Sequence, residues 1–287
     1  MTKIHTVTSI KKKAIPKVKP KSFPIVGIGG SAGSFRSLEK FFTNISADTG
    51  MAFVVIMHLD PFHKGHLAEL IQRFTEIPVA EAEEGMMVVP NHVYVIPPNK
   101  EIGIHRRKLL LLSPSKAHGL RQPIDYFFQS LAEDQQNKAV AIIFSGMGSD
   151  GETGVKMVKE KFGLTMVEDP QTAQYDSMPL AAISTNRIDF VLPPEDMPRR
   201  LAQYFSHPVI TEDVVKQTST GIGNSHSIDK ILMMLRTHTG HDFSMYKKST
   251  ITRRIDRRVA FHQLDDYPGY VDYLRENPHE ITLLFNE

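Results

Sequence analysis

Residues 23–34, FPIVGIGGSAGS, run an apolar stretch directly into a turn of glycines and serines. A helical pattern, SFRSLEKFFTNI, follows at once, and this order of strand, turn and helix is typical of an α/β fold. Two known patterns overlap on the turn. The first, G-x-G-x-x-A starting at Gly27, fits a dinucleotide-binding loop. The second, G-x-S-x-G centred on Ser31, fits a nucleophile elbow that exposes a reactive serine. The sequence of the turn by itself supports the dinucleotide-binding loop and the nucleophile elbow equally.

The alternation of strand and helix continues to about residue 206. The run AFVVIM precedes GHLAELIQRF, and KAVAIIF precedes GETGVKMVKEKF. Strands without polar alternation, each followed by a helix, predict an α/β fold with a doubly wound, mostly parallel sheet and helices on both faces. The stretch HVYVIPPNKEIGIHRRKLLLLSP has no helical period and predicts an antiparallel hairpin that turns at residues 105–107.

Three segments flank this α/β domain, which we place at residues 23–206. Residues 1–22 carry seven lysines and no acidic residue, and we expect a disordered basic tail. Residues 207–226 are polar and predict a linker. Residues 227–287 predict a small all-α domain that begins with a Ser227 cap. Its last helix has no stop signal, so we expect this domain to be truncated.

The composition narrows the possible functions. The chain has 287 residues, a net charge of +2 and no cysteine, which excludes disulfides, cysteine nucleophiles and thiolate metal sites and agrees with a cytoplasmic protein. No apolar run approaches the roughly 18 residues of a membrane span, so we expect no membrane insertion. The charge is too small to indicate nucleic acid, and we expect no nucleic-acid partner.

Candidate site residues follow three of the predicted strands. Ser31, His58 and Asp150 each come after a strand, and the carboxyl ends of parallel strands meet at one edge of the sheet. This is the residue set of a serine hydrolase, in which the histidine takes the serine proton and the carboxylate orients the imidazole. Alternatives are a phosphate at the glycine turn, a metal site of His58, His63 and His66, and an N-cap role for Asp150. A dinucleotide site usually has an acidic residue at the end of the second strand, where it binds the ribose, but this sequence has His58 there.

Taken together, these motifs resemble the catalytic domain of the CheB-type chemotaxis receptor methylesterases. GGSAGS places Ser31 on the family nucleophile, MHLDP places His58 on its histidine, and GMGSDG places Asp150 on its acid. SMPLAAI and RQPIDYFF match two further family segments, so the resemblance covers the whole α/β domain. Two positions depart from it, because Ala32 stands where threonine is common and Ser34 where the turn has glycine.

The resemblance implies a protein-glutamate methylesterase, a serine hydrolase that demethylates glutamyl methyl esters on chemotaxis-type receptors and releases methanol. The same acyl route also deamidates receptor glutamines in this family. The resemblance further implies an oxyanion hole in which the Met147 amide is the main donor, helped by the amides of Ala32 and Gly33. No metal or organic cofactor is expected. The alternative is a catalytically weak or inactive module that docks or regulates within a sensory protein.

Residues 227–287 resemble the N-terminal helical domain of the CheR-type receptor methyltransferases, on the segments YKKSTITRRIDRRV and YPGYVDYLRENPHEI. In the first segment, apolar residues recur at helical spacing and are expected to pack inward. The opposite arc then carries Arg253, Arg254, Arg257 and Arg258. The resemblance implies that this basic face docks an acidic receptor.

The catalytic half of a methyltransferase is not recognisable in this sequence. No glycine-rich loop for S-adenosylmethionine follows residue 274, so methyltransferase activity is not expected. We expect a fragment of a methylesterase–methyltransferase fusion, without a visible phospho-receiver domain.

Overall fold

The computed structural model describes residues 22–58, 66–114, 121–207, 221–243 and 246–286. The predicted basic tail therefore lies outside the described residues, apart from Ser22. The same is true of residues 208–220 of the predicted linker.

Seven parallel strands form the central sheet of the described residues, in the order β3-β4-β2-β1-β7-β8-β9. A separate antiparallel hairpin consists of β5 and β6. The predicted doubly wound sheet and hairpin are confirmed. The strands are β1 (Ile25–Gly30), β2 (Ala52–Met57), β3 (Val79–Glu81), β4 (His92–Val95), β5 (Glu101–His105), β6 (Lys108–Leu112), β7 (Ala139–Ile143), β8 (Leu164–Glu168) and β9 (Phe190–Leu192).

The stretch predicted as an antiparallel hairpin is divided between the two sheets. Strand β4 pairs in parallel with β2 and belongs to the main sheet, so the prediction was wrong for it. Its buried valines, Val93 and Val95, explain why, since they complete the core beside β2. Only β5 and β6 form the hairpin, which turns at Arg106 and Arg107 with positive φ angles of 50° and 60°.

Helices cover both faces of the sheet because successive strand side chains point to opposite sides. One apolar core contains residues of α3, α4, α5 and the hairpin. The other contains residues of α1, α2 and α6. These helices are α1 (Ser34–Thr43), α2 (Leu67–Gln72), α3 (Pro123–Gln135), α4 (Glu152–Glu160), α5 (Ser177–Ser184) and α6 (Met197–Ser206).

The glycines of β1 let α3 pack directly on the centre of the sheet. A Cβ atom at Gly29 would lie 2.4 Å from Cγ2 of Ile124, and one at Gly27 would lie 2.8 Å from Cε1 of Phe128. Neither distance leaves room for a side chain. Packing therefore explains two of the three specified positions of the dinucleotide pattern, Gly27 and Gly29. It also brings the N-terminus of α3 close to the end of β1.

The C-terminal residues form a helical unit with its own apolar core, in which Ile251, Ile255 and Val259 pack as predicted. The first helix begins at Gly221, so the prediction of a linker up to residue 226 and a cap at Ser227 was wrong. The helices are α7 (Gly221–Thr239), α8 (Lys248–Phe261), α9 (Tyr267–Glu276) and α10 (Pro278–Asn286). None of the described helices is both long and apolar enough to cross a bilayer.

Helix α8 contacts the α/β domain beside the amino ends of β8 and β9. The ring of Phe261 stacks on Phe190 with centroids 4.5 Å apart, and its carbonyl oxygen accepts a hydrogen bond from Arg200 at 2.7 Å. Arg257 of α8 pairs with Asp189, the residue before β9. The helical unit therefore lies at the sheet edge opposite to the carboxyl ends of the strands.

Candidate active site

Ser31 and His58 follow two neighbouring parallel strands at the same level. Gly30 and Met57 are the last residues paired between β1 and β2, and Ser31 and His58 come directly after them. The backbone continues the pairing, because the His58 N–H donates to the Gly30 carbonyl oxygen at 3.3 Å. Adjacent strands lie about 4.8 Å apart, which brings the two residues side by side.

The backbone at Ser31 turns sharply from strand into helix. Gly33 has a φ of 80°, a left-handed conformation that favours glycine, and α1 begins at the next residue. The hydroxyl of Ser34 donates to the Ser31 carbonyl oxygen at 2.6 Å, and the Ser31 N–H donates to the Ser145 carbonyl oxygen at 3.0 Å. Both bonds fix the Ser31 peptide beside the end of β7, in the arrangement that a nucleophile elbow requires.

His58 is paired with Asp150 by a short contact. The Nε2 atom of His58 lies 2.7 Å from Oδ2 of Asp150, and the carboxylate is almost completely buried. If Nε2 carries the proton that it donates to the carboxylate, Nδ1 holds the free lone pair. The imidazole is then a base at Nδ1, on the side away from Asp150.

Asp150 is held by the N-terminus of α3. Its Oδ2 accepts the N–H of Ile124 at 3.0 Å, and its Oδ1 accepts the N–H of Asp125 at 2.9 Å. These are two of the first N–H groups of the helix, which have no partner within it. The sequence also offers Asp150 as an N-cap of the helix that follows it, α4, but that position belongs to Gly151. Asp150 instead caps α3, and these hydrogen bonds fix the position of its own carboxylate.

Three backbone N–H groups near Ser31 have no acceptor within the described residues, those of Ala32, Gly33 and Met147. Two other amides of the turn after β7 have acceptors, since the Ser145 N–H donates to Glu168 and the Gly146 N–H donates to the Tyr175 carbonyl oxygen. A Cβ atom on Gly146 would lie 2.9 Å from Cβ of Ser31, which shows how closely this turn approaches the serine. Ala32, Gly33 and Met147 are the residues whose amides are assigned to an oxyanion hole from the sequence, and that role stays a prediction.

A buried carboxylate behind the turn was missed from the sequence. Glu168 ends β8, and its Oε2 accepts the Ser37 hydroxyl at 2.7 Å and the Ser145 N–H at 2.8 Å. Burial raises the pKa of Glu168, and the hydrogen bonds oppose that rise. It anchors the Ser145 peptide, to which Ser31 is bonded. Its position at a strand end on the same edge of the sheet was the available signal.

The metal alternative finds no support among the described residues. No group of three or more histidine, aspartate or glutamate side chains in them is arranged to hold a metal ion. His58 contacts Asp150, and His66 pairs with Glu69 at 3.2 Å on the surface. His63, the third member of the proposed set, lies outside the described residues.

Comparison with protein families agrees with this geometry. Residues 26–201 match the model of the CheB methylesterase family. The chain belongs to that family. Residues 226–287 match a second model, the all-alpha domain of CheR methyltransferases. The crystal structure of the Thermotoga maritima CheB methylesterase catalytic domain superposes with a TM-score of 0.59 at 32% identity, over 63% of this chain and 98% of that one.

Two relatives of this CheB-family chain are similar to it over different lengths. A Thermotoga maritima protein-glutamate methylesterase/protein-glutamine glutaminase is 32% identical over 183 residues, which are 62% of this chain and 53% of that protein. An uncharacterized 104.1 kDa protein of Rhodobacter capsulatus is 31% identical over 240 residues, or 77% of this chain. Those residues are 25% of the Rhodobacter protein, so this chain corresponds to a small part of it.

The four arginines of the CheR-like unit do not form the exposed arc that the helical pattern predicted. Arg257 and Arg258 are buried, the former against Asp189 and the latter against Glu280. Arg253 and Arg254 lie over the ring of Phe162, 3.8 and 5.6 Å from its centroid. The prediction of an exposed face was wrong because Arg257 packs on the α/β domain and Arg258 packs on α10 within the helical unit. Docking of a receptor by these arginines stays a prediction.

The ion pair inside the helical unit has an electrostatic consequence. Burial alone would raise the pKa of Glu280, but hydrogen bonds from His262 and Arg258 lower it to about 2. Glu280 also accepts the Tyr270 hydroxyl at 2.8 Å. The carboxylate is therefore charged at neutral pH and joins three helices of the unit.

Proposed function

We propose that this chain is a serine esterase that hydrolyses glutamyl methyl esters on a chemotaxis-type receptor. The observation that carries the proposal is the His58–Asp150 pair, at 2.7 Å, beside the Ser31 elbow. Membership of the CheB methylesterase family and the names of the relatives support it. Ser31 is the proposed nucleophile, His58 the base and Asp150 the group that orients it.

Acylation begins when the Ser31 oxygen attacks the ester carbonyl carbon while Nδ1 of His58 takes the hydroxyl proton. The carbonyl oxygen becomes an oxyanion, and the N–H groups of Met147, Ala32 and Gly33 stabilise it. Asp150 stabilises the imidazolium through Nε2. When the tetrahedral intermediate collapses, the bond to the methoxy oxygen breaks, and this oxygen takes the proton from His58 and leaves as methanol.

Deacylation repeats the same steps with water. His58 takes a proton from the water that attacks the acyl carbonyl carbon, and the oxyanion forms again at the same donors. Collapse breaks the bond to the Ser31 oxygen, which recovers its proton from His58. The product is a glutamate carboxylate. A glutamine side chain would follow the same route and release ammonia instead of methanol, in keeping with the glutaminase activity in the names of the relatives.

The proposed site is open to a macromolecular substrate. The side chain of Met147 is 58% exposed, and Tyr175 is also exposed on the neighbouring loop. The helical unit contacts the opposite edge of the sheet. A receptor helix carrying an ester side chain would therefore reach Ser31 without displacing the described helical unit.

The test is methanol release from a methylated receptor fragment by the full chain and by Ser31→Ala. We expect Ser31→Ala to lose at least about 10³-fold in kcat, as expected when a covalent nucleophile is removed. Ser184→Ala, which removes an exposed serine hydroxyl on α5, is the matched control and should behave like the wild type. Equal rates for the wild type and Ser31→Ala would refute the esterase proposal and favour a docking module.

A further inference from the structure

The N-termini of α3 and α4 are joined by two aspartates in a crossed arrangement. Asp150 precedes α4, but its carboxylate accepts N–H groups of α3. Asp125 lies in the first turn of α3, but its carboxylate accepts the Gly154 N–H of α4 at 2.6 Å. The side chain of Gln122, the cap residue of α3, makes no bond to its own helix, and Gly151, the cap residue of α4, has no side chain to do so. Each helix start is thus capped by an aspartate of the other.

The two carboxylates lie close enough to affect each other. Burial, together with the charge of Asp150, raises the pKa of Asp125 to about 6, although its bond to Gly154 opposes the rise. Once Asp125 is ionised, its charge is repelled by that of Asp150. The N–H groups and positive ends of two helices offset the repulsion.

Close packing of α3 against α4 keeps the donors and acceptors of the crossed bonds within reach of each other. A Cβ atom on Gly154 would lie 2.5 Å from Cβ of Phe128, so the absence of a side chain lets α4 lie directly on α3. Asp125 thus joins the two helix starts at two points. Its backbone N–H donates to Asp150, and its side-chain carboxylate accepts from the Gly154 N–H. The RQPID segment places Asp125 at this junction. Its side chains take no part in the proposed catalytic steps.

We propose that Asp125 is a positioning residue that orients Asp150, and through it His58, by holding the start of α4 against the start of α3. This inference rests on the proposed esterase function. Asp125 does not touch the reacting atoms. Without the Asp125 carboxylate, the Gly154 N–H at the start of α4 loses its acceptor. The Asp125 N–H, which donates to Asp150, is then held less firmly in place. A displacement of about 1 Å in a catalytic group costs up to about 10²-fold in rate.

The experiment compares Asp125→Ala and Asp125→Asn with the wild type in the ester assay. We expect Asp125→Ala to lower kcat about 10- to 100-fold with KM changed less than about threefold, because geometry and not substrate binding is affected. Asp125→Asn keeps an oxygen acceptor for Gly154 and removes the repulsion from Asp150. It should therefore retain most of the activity and the melting temperature.

Asp134→Ala is the matched control. This aspartate also lies in α3 and accepts two backbone N–H groups, those of Arg106 and Arg107, but at the far end of the helix. It should lose stability without loss of kcat. The proposal is overturned if Asp125→Ala keeps the wild-type kcat, if its defect is in KM, or if Asp134→Ala loses kcat equally.

A readout independent of turnover separates this proposal from the esterase function. The imidazole N–H that donates to Asp150 should give a downfield proton NMR signal, which we expect to persist in Asp125→Asn and to weaken or exchange faster in Asp125→Ala. An unchanged signal in Asp125→Ala refutes the positioning role. Equal rates in the wild type and Ser31→Ala, with the signal altered as expected, refute the esterase function alone.

Discussion

Replacing Asp189 by alanine should detach the helical unit from the α/β domain. The Asp189 side chain is 1% exposed and pairs with two cations, Arg257 of α8 and Lys159 of α4, the latter at 2.7 Å. Burial alone would raise the pKa of Asp189, but the charges of Arg257 and Lys159 outweigh it and hold the pKa well below its usual range. The carboxylate is therefore charged at neutral pH.

The size of the effect follows from what remains after the substitution. Two cations that are 4% and 12% exposed would lose their shared carboxylate, and breaking a buried pair from one side costs about 3–5 kcal/mol. The remaining contacts include the Phe190–Phe261 stack, about 0.5–1.5 kcal/mol, and the hydrogen bond from Arg200, about 1–3 kcal/mol. They also include the contacts of Arg253 and Arg254 with the Phe162 ring, about 0.5–1 kcal/mol each, and a hydrogen-bond contact between His207 and the Leu264 carbonyl oxygen at 2.8 Å. The loss is of the same order as the attraction that is left. Separation is then the cheaper response, since the helical unit has its own core.

Small-angle scattering and hydrogen exchange on the full chain measure this separation. We expect a larger radius of gyration in Asp189→Ala and faster amide exchange around Phe261 and Phe190. Glu195→Ala breaks a partly exposed pair with Lys40 and is the matched control, with an expected cost below about 1 kcal/mol. A triple variant, Asp189→Leu with Arg257→Met and Lys159→Met, removes the three charges together and should recover much of the contact.

The reasoning would be refuted by a compact Asp189→Ala variant. Specifically, an unchanged radius of gyration and an unfolding free energy within about 1 kcal/mol of the wild type would show that the pair is not what holds α8 in place. A variant that separates but unfolds the α/β domain as well would contradict the assignment of two independent cores.

Three further predictions concern the site and the helical unit. Asp150→Asn should lower kcat by about 10³–10⁴-fold with little change in fold, measured by methanol release and circular dichroism. Gly146→Ala places a Cβ 2.1 Å from the Met178 sulfur and 2.9 Å from Cβ of Ser31; it should cost about 1–3 kcal/mol in urea unfolding, and Met178→Ala should relieve part of this cost. Because the folded pKa of Glu280 is about 2, below the usual ~4.3, its stabilisation is present above about pH 4.3 and lost as pH falls towards 2. Thermal melts should show this loss, and Glu280→Gln should remove the pH-dependent part.

The strand ends of the α/β domain could be predicted from sequence because their signals are local. A buried strand shows as an apolar run, and a turn shows as glycine and serine, so Ser31, His58 and Asp150 could be placed on one sheet edge before any coordinates. Strand β4 was assigned to the wrong sheet, because a short apolar run does not show which neighbour it will pair with.

The partners of each side chain were decided only by tertiary structure. The sequence suggested Asp150 as a cap of the helix after it, but packing brought the start of α3, 25 residues earlier, within reach of its carboxylate. Likewise, the spacing of Ile251, Ile255 and Val259 in α8 predicted the apolar stripe correctly, but it did not predict what the arginines on the opposite face contact. A charged arc has the same pattern whether it meets water or a buried carboxylate such as Asp189, because helical periodicity records which residues share a face and not what lies across from it.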